Sequence, residues 1–547
     1  MSDPARMLAC VLASFASGGF PVDQDGEITR LLRRAHEVAV TMSDDRIFTK
    51  FGILTQIAQF QACVNDHDES SKTIEDAFKV GGDPSFHQMM RSRVRMDVLQ
   101  MTAAMRIEQG DAKAAVEPLR EYARLAAINN SSSAPISFYL ELVKLQARAG
   151  DREGAAASAK RIQEFAEELP ATPRGGGGIR AGVQTRTPGL VIAAHAFGLA
   201  GERAVAEDLR RRAIREAESI ADRDKRRGEV WTVIEERARL GDVAGAVAWL
   251  DARRELFGDM WNELLASVAS TAAEFNPSLA LGTASRIGDT SKRLAALSAV
   301  AEKLGSLGRW KDAAVAWEAA LPEGQALPRR DFLAELVYAH AKAGHREAAL
   351  ASARRSLREA ERPGDDRQKW SFPQAPFFAR LAAGLWLAGD RAAAEANLGR
   401  AKTMAGEIRD LPIGNSGTLN FDKSGTLNSI AATYADMGDF DRSLQLLTES
   451  RIRDPNLIRP IVDAGASARL KAGDVNGALQ LFSFLVNKTD DPIGSREVAR
   501  KVAKAEARDG DPALARRWAE GVGGAEYQAV ALIGVCSGLL ERSYKTP

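Results

Sequence analysis

The chain has 547 residues, 45% of them hydrophobic and only 6% aromatic, with 74 basic and 73 acidic side chains giving a formal net charge of +1. That length is too great for one compact core. The charge balance excludes a global attraction to nucleic acid or to an anionic membrane.

In chain order, Met7 to Ala16 is a mostly apolar stretch behind Arg6. It reads as a first helix stopped at Gly18-Gly19. The alternative is a short signal segment over residues 1–18, whose basic flank is spoiled by Asp3 and Pro4. A ladder of ten pairs follows, each a Gly with a small residue five positions on: Gly110/Ala115, Gly150/Ala155, Gly201/Ala206, Gly241/Ala246, Gly308/Ala313, Gly344/Ala349, Gly389/Ala394, Gly438/Ser443, Gly473/Ala478 and Gly510/Ala515. Successive glycines lie 40, 51, 40, 67, 36, 45, 49, 35 and 37 residues apart. The gap of 67 predicts a degenerate turn at Phe275-Asn276 between Val268 and Ala280. Asn65, between Ala58 and Ser70, predicts another. No alternating run is long enough for a strand. The last helix-like segment, Ala525 to Glu541, carries Val530, Leu532, Ile533, Val535, Leu539 and Leu540 and is expected to cap the final apolar face.

Each Gly stands where a helix must stop, because the residue after a helix often turns left-handed and Gly does so without a Cβ penalty. The next residue is usually acidic (Asp111, Asp151, Glu202, Asp242, Asp390, Asp439, Asp474, Asp511), which suits it to cap the following helix. Seven residues before the Gly stands Ala103, Ala194, Ala301, Ala382, Ala431, Ala466 or Ala503, with Val143, Ile234 and Val337 elsewhere. Eleven before it stand larger groups such as Leu99, Tyr139, Leu190, Phe378 and Val462. Spacings of four and seven share one helical face, so each first helix offers an apolar stripe with a notch in it.

This pattern resembles the tetratricopeptide repeat, whose period is about 34 residues. The resemblance runs from about Ala58 to Val522. It departs from that family in its irregular period, its missing unit-end Pro and its Leu, Val or Ala at aromatic positions, so the apt label is tetratricopeptide-like (TPR-like). It implies an all-α fold, an α-solenoid of about twelve antiparallel helix hairpins in a right-handed superhelix. The expected organisation is an N-terminal cap or partial repeats over 1–57, the repeat array over 58–522 with a candidate hinge at 170–189, and a capping helix and tail over 523–547.

Extra residues fall mostly between hairpins: Asn129 to Pro135, Pro170 to Gly189 with Gly175-Gly176-Gly177-Gly178, Arg362 to Pro376 with Trp370, and Leu411 to Asn428 with Ser-Gly-Thr-Leu-Asn twice. Such insertions often mark a binding face.

Motifs for chemistry are weak. The four glycines flanked by Arg174, Arg180 and Arg186 lack any phosphate-loop signature and read as a solvated loop. The histidines, His36, His67, His87, His195, His340 and His345, have no metal-ligand spacing. Cys10, Cys63 and Cys536 are odd in number and without C-x-x-C, so they read as reduced apolar residues. No cofactor and no metal are expected. Arg210-Arg211-Arg212 and Lys225-Arg226-Arg227 read as salt-bridged helix faces.

By resemblance, positions ten and six before the Gly face a concave groove. These candidate binding residues are Lys144, His195, Trp231, Glu235, Glu302, Tyr338, Asn428, Asp463, Arg500 and Lys504. They are chemically mixed and do not reproduce the family's Lys/Asn/Arg carboxylate clamp. The expected function is a non-catalytic scaffold for a protein or extended peptide. An enzyme or processing subunit using the inserted loops is one alternative. The other is an RNA-binding repeat protein, which needs a basic excess and a repeating polar pair that are not seen. No apolar run reaches a membrane-spanning length, so no membrane span and a cytoplasmic location are expected, with export the alternative if residues 1–18 are a signal segment.

Overall fold

The structure is a computed structural model. It describes residues 26–43, 47–64, 66–79, 95–107 apart from 101 and 105, 112–128, 135–170, 185–321, 331–361, 374–407, 423–450 and 453–545. Residues 1–25, Asn65, Gly110-Asp111, the four glycines at 175–178, Trp370 and the first Ser-Gly-Thr-Leu-Asn copy lie outside these, as does most of the 170–189 candidate hinge. Among the described residues every regular element is a helix. None of those helices is long and apolar enough to cross a membrane.

The chain divides into two compact units, Met1–Ser219 with Ile458–Pro547, and Ile220–Leu457. The first opens with α1 (Glu27–Val40), α2 (Ile47–Cys63), α3 (His67–Lys79), α4 (Ala112–Ile128), α5 (Pro135–Ala149), α6 (Arg152–Glu168), α7 (Arg186–Ala200) and α8 (Arg203–Glu218). The second holds α9 (Arg223–Arg239), α10 (Val243–Asp251), α11 (Arg254–Phe257), α12 (Trp261–Phe275), α13 (Pro277–Ser285), α14 (Thr290–Ser306), α15 (Trp310–Ala320), α16 (Asp331–Lys342), α17 (Arg346–Glu361), α18 (Gln374–Leu387), α19 (Arg391–Glu407), α20 (Lys423–Asp436) and α21 (Phe440–Glu449). The first unit resumes within α22 (Pro455–Lys471) and continues through α23 (Val475–Lys488), α24 (Pro492–Asp509), α25 (Pro512–Gly521) and α26 (Ala525–Lys545).

The Gly ladder is the ladder of turns. Eight glycines, 150, 201, 241, 308, 344, 389, 438 and 473, take φ between 73° and 93°. At Gly344 the geometry is typical: Gly344 N–H donates to Ala341 O at 3.1 Å and His345 N–H to His340 O at 2.9 Å. These two bonds satisfy carbonyls that the helix end would leave bare. Gly510 departs, at φ −118°. There the Glu506 carboxylate accepts from Asp511 N–H at 2.9 Å, and a Cβ on Gly510 would lie 2.2 Å from Glu506 Oε1. This glycine leaves room for the Glu506 carboxylate and does not adopt a left-handed backbone.

The acidic residue after the turn caps the second helix where it is Asp. Asp151, Asp242, Asp390, Asp439, Asp474 and Asp511 each accept a bond from a backbone N–H two or three residues on, whereas Glu202 makes no such bond. Three turns carry a further pattern. Gln146, Arg237 and Arg469 stand four before the Gly, and Gly154, Gly245 and Gly477 four after it. Arg237 Nη2 reaches Asp242 Oδ2 at 2.6 Å, and Arg469 Nη1 reaches Asp474 Oδ2 at 2.8 Å. A Cβ on Gly245 would lie 2.1 Å from Arg237 Nη2, so the second glycine makes room for the arginine.

The notch is where the two helices of a hairpin meet. The residues five after and seven before each turn are all at most 1% exposed. Ser443 Oγ donates to Ala431 O at 2.7 Å, which puts the residue five after the turn directly on the backbone seven before it. Ser70 Oγ donates to Ala58 O at 2.8 Å, so the degenerate turn near residue 65 closes in the same way. At Asn276 the side chain caps Leu279 N–H, and Val268 and Ala280 are buried, as the spacing predicts. Successive first helices lie side by side: α5 on α7, α12 on α14, α16 on α18, α18 on α20 and α24 on α26. The segment expected as a loop over Leu411–Asn428 ends inside α20, where Ser424–Asn428 is helical.

Replacing Ala246 or Ala313 by Leu should lower stability by about 1–3 kcal/mol through overpacking of the notch. Denaturant midpoints measure this, and unchanged values for both variants would place those side chains outside the helix contact.

Candidate functional site

The best-built polar cluster lies in the second unit, on one face of three consecutive first helices. Glu335, Tyr338 and Lys342 are three and four residues apart on α16, hence on one face. Gly384 of α18 lets the two helices approach closely here: a Cβ on it would lie 2.7 Å from Val337 Cγ1 and 3.0 Å from Tyr338 N. That proximity lays the Arg380 guanidinium flat over the Tyr338 ring, with 3.4 Å from Cζ to the ring centroid. Arg380 Nε donates to Glu335 Oε1 and Nη2 to Oε2, each at 2.9 Å, a two-pronged pair. Asp436 from α20 accepts from Tyr338 Oη at 2.9 Å and from Lys342 Nζ at 3.2 Å, and stands 3.9 Å from Arg380 Nη1. Trp310 meets the Tyr338 ring edge-on at 5.5 Å.

Burial, and then the Asp436 carboxylate, push the Tyr338 phenol well above its ordinary pKa. The phenol therefore stays protonated and remains a donor. Burial opposes the Arg380 cation, but Glu335, Tyr338 and Asp436 outweigh it and raise its pKa. The cluster can offer fixed donors and acceptors on an ordered surface.

Of the residues selected by spacing, Tyr338 is the one built into this cluster. Glu302 is exposed on α14, while Trp231 and Glu235 are half-buried on α9 and Asn428 on α20. Glu235 accepts from Arg239 one turn along its own helix at 2.9 Å. The other five belong to the first unit. Lys144 pairs with Glu141 at 2.7 Å, and His195 lies half-buried on α7. Arg500 and Lys504 lie on α24 beneath α26, where a Cβ on Gly534 would come within 2.5 Å of Arg500 O. Lys504 Nζ reaches Glu541 Oε1 of α26 at 2.5 Å. Asp463 is half-buried on α22. Burial raises its pKa, Lys501 of α24 opposes that and Glu497 adds to it.

Spacing missed Glu335, Lys342, Arg380 and Asp436. They stand nine or two residues before their glycines, one turn either side of the position that was selected. Among the described residues no group of three or more His, Cys, Asp or Glu could hold a metal ion. His340, a poor ligand candidate from its spacing, is buried with Nε2 3.2 Å from Glu318 Oε1.

Left-handed turns, fully buried notches and side-by-side first helices define the architecture. The fold is a TPR-like helical repeat. No protein-family model and no curated protein matches the chain. Among solved structures, it is similar to a Rap protein complexed with competence and sporulation factor, at 12% identity over 69% of this chain and 99% of that one, with a TM-score of 0.25. It is similar to Naa15/Naa10 bound to HypK-THB, at 16% identity over 86% and 69% with a TM-score of 0.22. It is also similar to the pentatricopeptide repeat protein PPR10 from maize, at 14% identity over 99% and 72% with a TM-score of 0.27.

Two measurements probe the sites of this TPR-like array. In a double-mutant cycle, Tyr338→Phe and Asp436→Asn should each cost about 0.5–3 kcal/mol and should couple by about 0.5–1.5 kcal/mol. Zero coupling would remove their hydrogen bond from the energetics of the fold. For Asp463 the sign follows from its raised pKa. The stability it contributes is fully present below its ordinary value of 3.8 and is lost as pH rises through the higher folded value. Asp463→Asn should therefore be more stable than the parent at neutral pH, and the gap should close as pH falls below 3.8. Urea midpoints taken across that range show whether it does.

Proposed function

We propose that this helical repeat is a non-catalytic scaffold that binds a protein or an extended peptide along the groove expected at the partly exposed positions of its first helices. One observation supports the reading above others. Packing consumes the notch positions completely, yet it leaves the residues one turn away partly exposed and chemically varied. Lys144, His195, Trp231, Glu235, Glu302, Asn428, Asp463, Arg500 and Lys504 all keep some solvent contact, and Tyr338 sits in an ordered polar cluster. A face of fixed, mixed side chains recurring from hairpin to hairpin suits an extended polypeptide, which offers alternating groups along its length. The near-neutral charge of the chain favours this over an RNA backbone, which would reward a basic excess.

A photo-crosslinking residue at Glu302, compared with one at Val315 on a second helix, tests it. Both positions are exposed. The expected result is a discrete polypeptide adduct in cells at 302 and not at 315. Equal labelling at the two positions would overturn the proposal, and recovery of RNA at 302 would replace it with a nucleic-acid reading.

A further inference from the structure

In the first unit, α26 is not covered as the outermost helix of a stack would be. All ten residues from Ala529 to Gly538 are buried. Ten consecutive helical residues point in every direction around the axis, so α26 is enclosed on all sides. A terminal repeat ordinarily keeps a polar outer face.

Four helices pack against it, α24, α1, α25 and α2, of which α24 and α1 share the most contact. On one side, α24 packs against Gly534 and Gly538, where an added Cβ would come within 2.5 Å of Arg500 O and 2.4 Å of Lys504 O. Lys504 and Arg508 pair with buried Glu541 on the same side. The second partner is α1, from the opposite end of the sequence. Its apolar stripe, Ile28, Leu31, Leu32, Ala35, Val38 and Ala39, is buried, while Arg30, Arg33, Arg34 and Glu37 are exposed. Cys536 Sγ lies 3.9 Å from Ile28 O, across 508 positions of sequence. The same α1 is tied to the neighbouring α2–α3 hairpin by His36 to Asp76 at 3.0 Å and Arg33 to Asp66 at 3.7 Å, both on residues at or next to α3.

We infer that α1 is a clasp that closes this unit, so that residues 27–40 and 525–541 open together as one cooperative element. In an open stack the end helices fray first, each with its own low opening energy. Here the helix that would fray is sandwiched, and the helix that covers it contributes one amphipathic face to two neighbours. Release of α1 bares the Cys536 side of α26 together with the apolar stripe of α1 itself, so opening is costly and concerted.

Hydrogen exchange on the full chain, read by mass spectrometry, tests the clasp in two ways. In the parent, amides of 27–40 and 525–541 should share one exchange rate and one denaturant dependence. In Leu32→Glu, which puts a carboxylate into the contact, exchange over 525–541 should rise at least about tenfold while 331–342 keeps its protection. The inference is overturned if 525–541 stays protected in the variant while 27–40 exchanges freely. It is equally overturned if 27–40 in the parent exchanges about a hundredfold faster than 525–541. Should Leu32→Glu unfold the whole chain or leave 27–40 protected, the parent measurement decides alone.

Discussion

The close approach of two helix backbones at a shared notch governs the rest of this structure. Ala431 and Ser443 show it at its plainest: one side chain's hydroxyl rests on the other residue's carbonyl. A larger group at either position would hold the helices apart, and each hairpin would lose the flat side on which its neighbour stacks. The left-handed glycine serves that contact, because it turns the chain within two residues and delivers the second helix at the right height. With few aromatic rings to fill gaps, burial rests on many small, tightly seated alanines.

Sites follow from what the notch leaves over. A first helix spends one stripe on its own partner and another on the next first helix, and the residues between these stripes are what the protein can present. At α16, α18 and α20 those residues form a network in which each charge has an opposite neighbour and the one buried phenol has an acceptor. Such a network resists rearrangement, because removing any member leaves a desolvated group behind. It therefore fixes three successive hairpins relative to one another.

The hairpins were legible because their signals are local and steric. A left-handed turn and a backbone contact admit few residue types, so Gly and Ala recur at fixed offsets, and even the degenerate turn at Asn276 kept Val268 and Ala280 at its packing positions. Glu506, which replaces the usual geometry at Gly510, was not legible, since a glutamate on a helix reads as surface charge. Arg380 and Asp436 escaped notice for the same reason. Each is ordinary alone, and only the packing of separate hairpins brings them to Tyr338. The contact between α1 and α26 had no local signature at all, because an amphipathic stripe does not say what it covers.

The pairing of Ile28 with Cys536 bears on how the protein is made. At about 5–20 residues per second, the intervening 508 positions take roughly 25–100 s to synthesise. Throughout that interval the ribosome has released α1 with its early neighbours α2 and α3, but its late partner α26 does not yet exist. Hairpins of local contact order can form as they emerge, whereas this closure carries the loop entropy of most of the polypeptide. The nascent chain thus carries a greasy stripe only part-covered by α2 for most of its birth, a natural docking point for folding helpers and a weak spot when translation stalls or truncates.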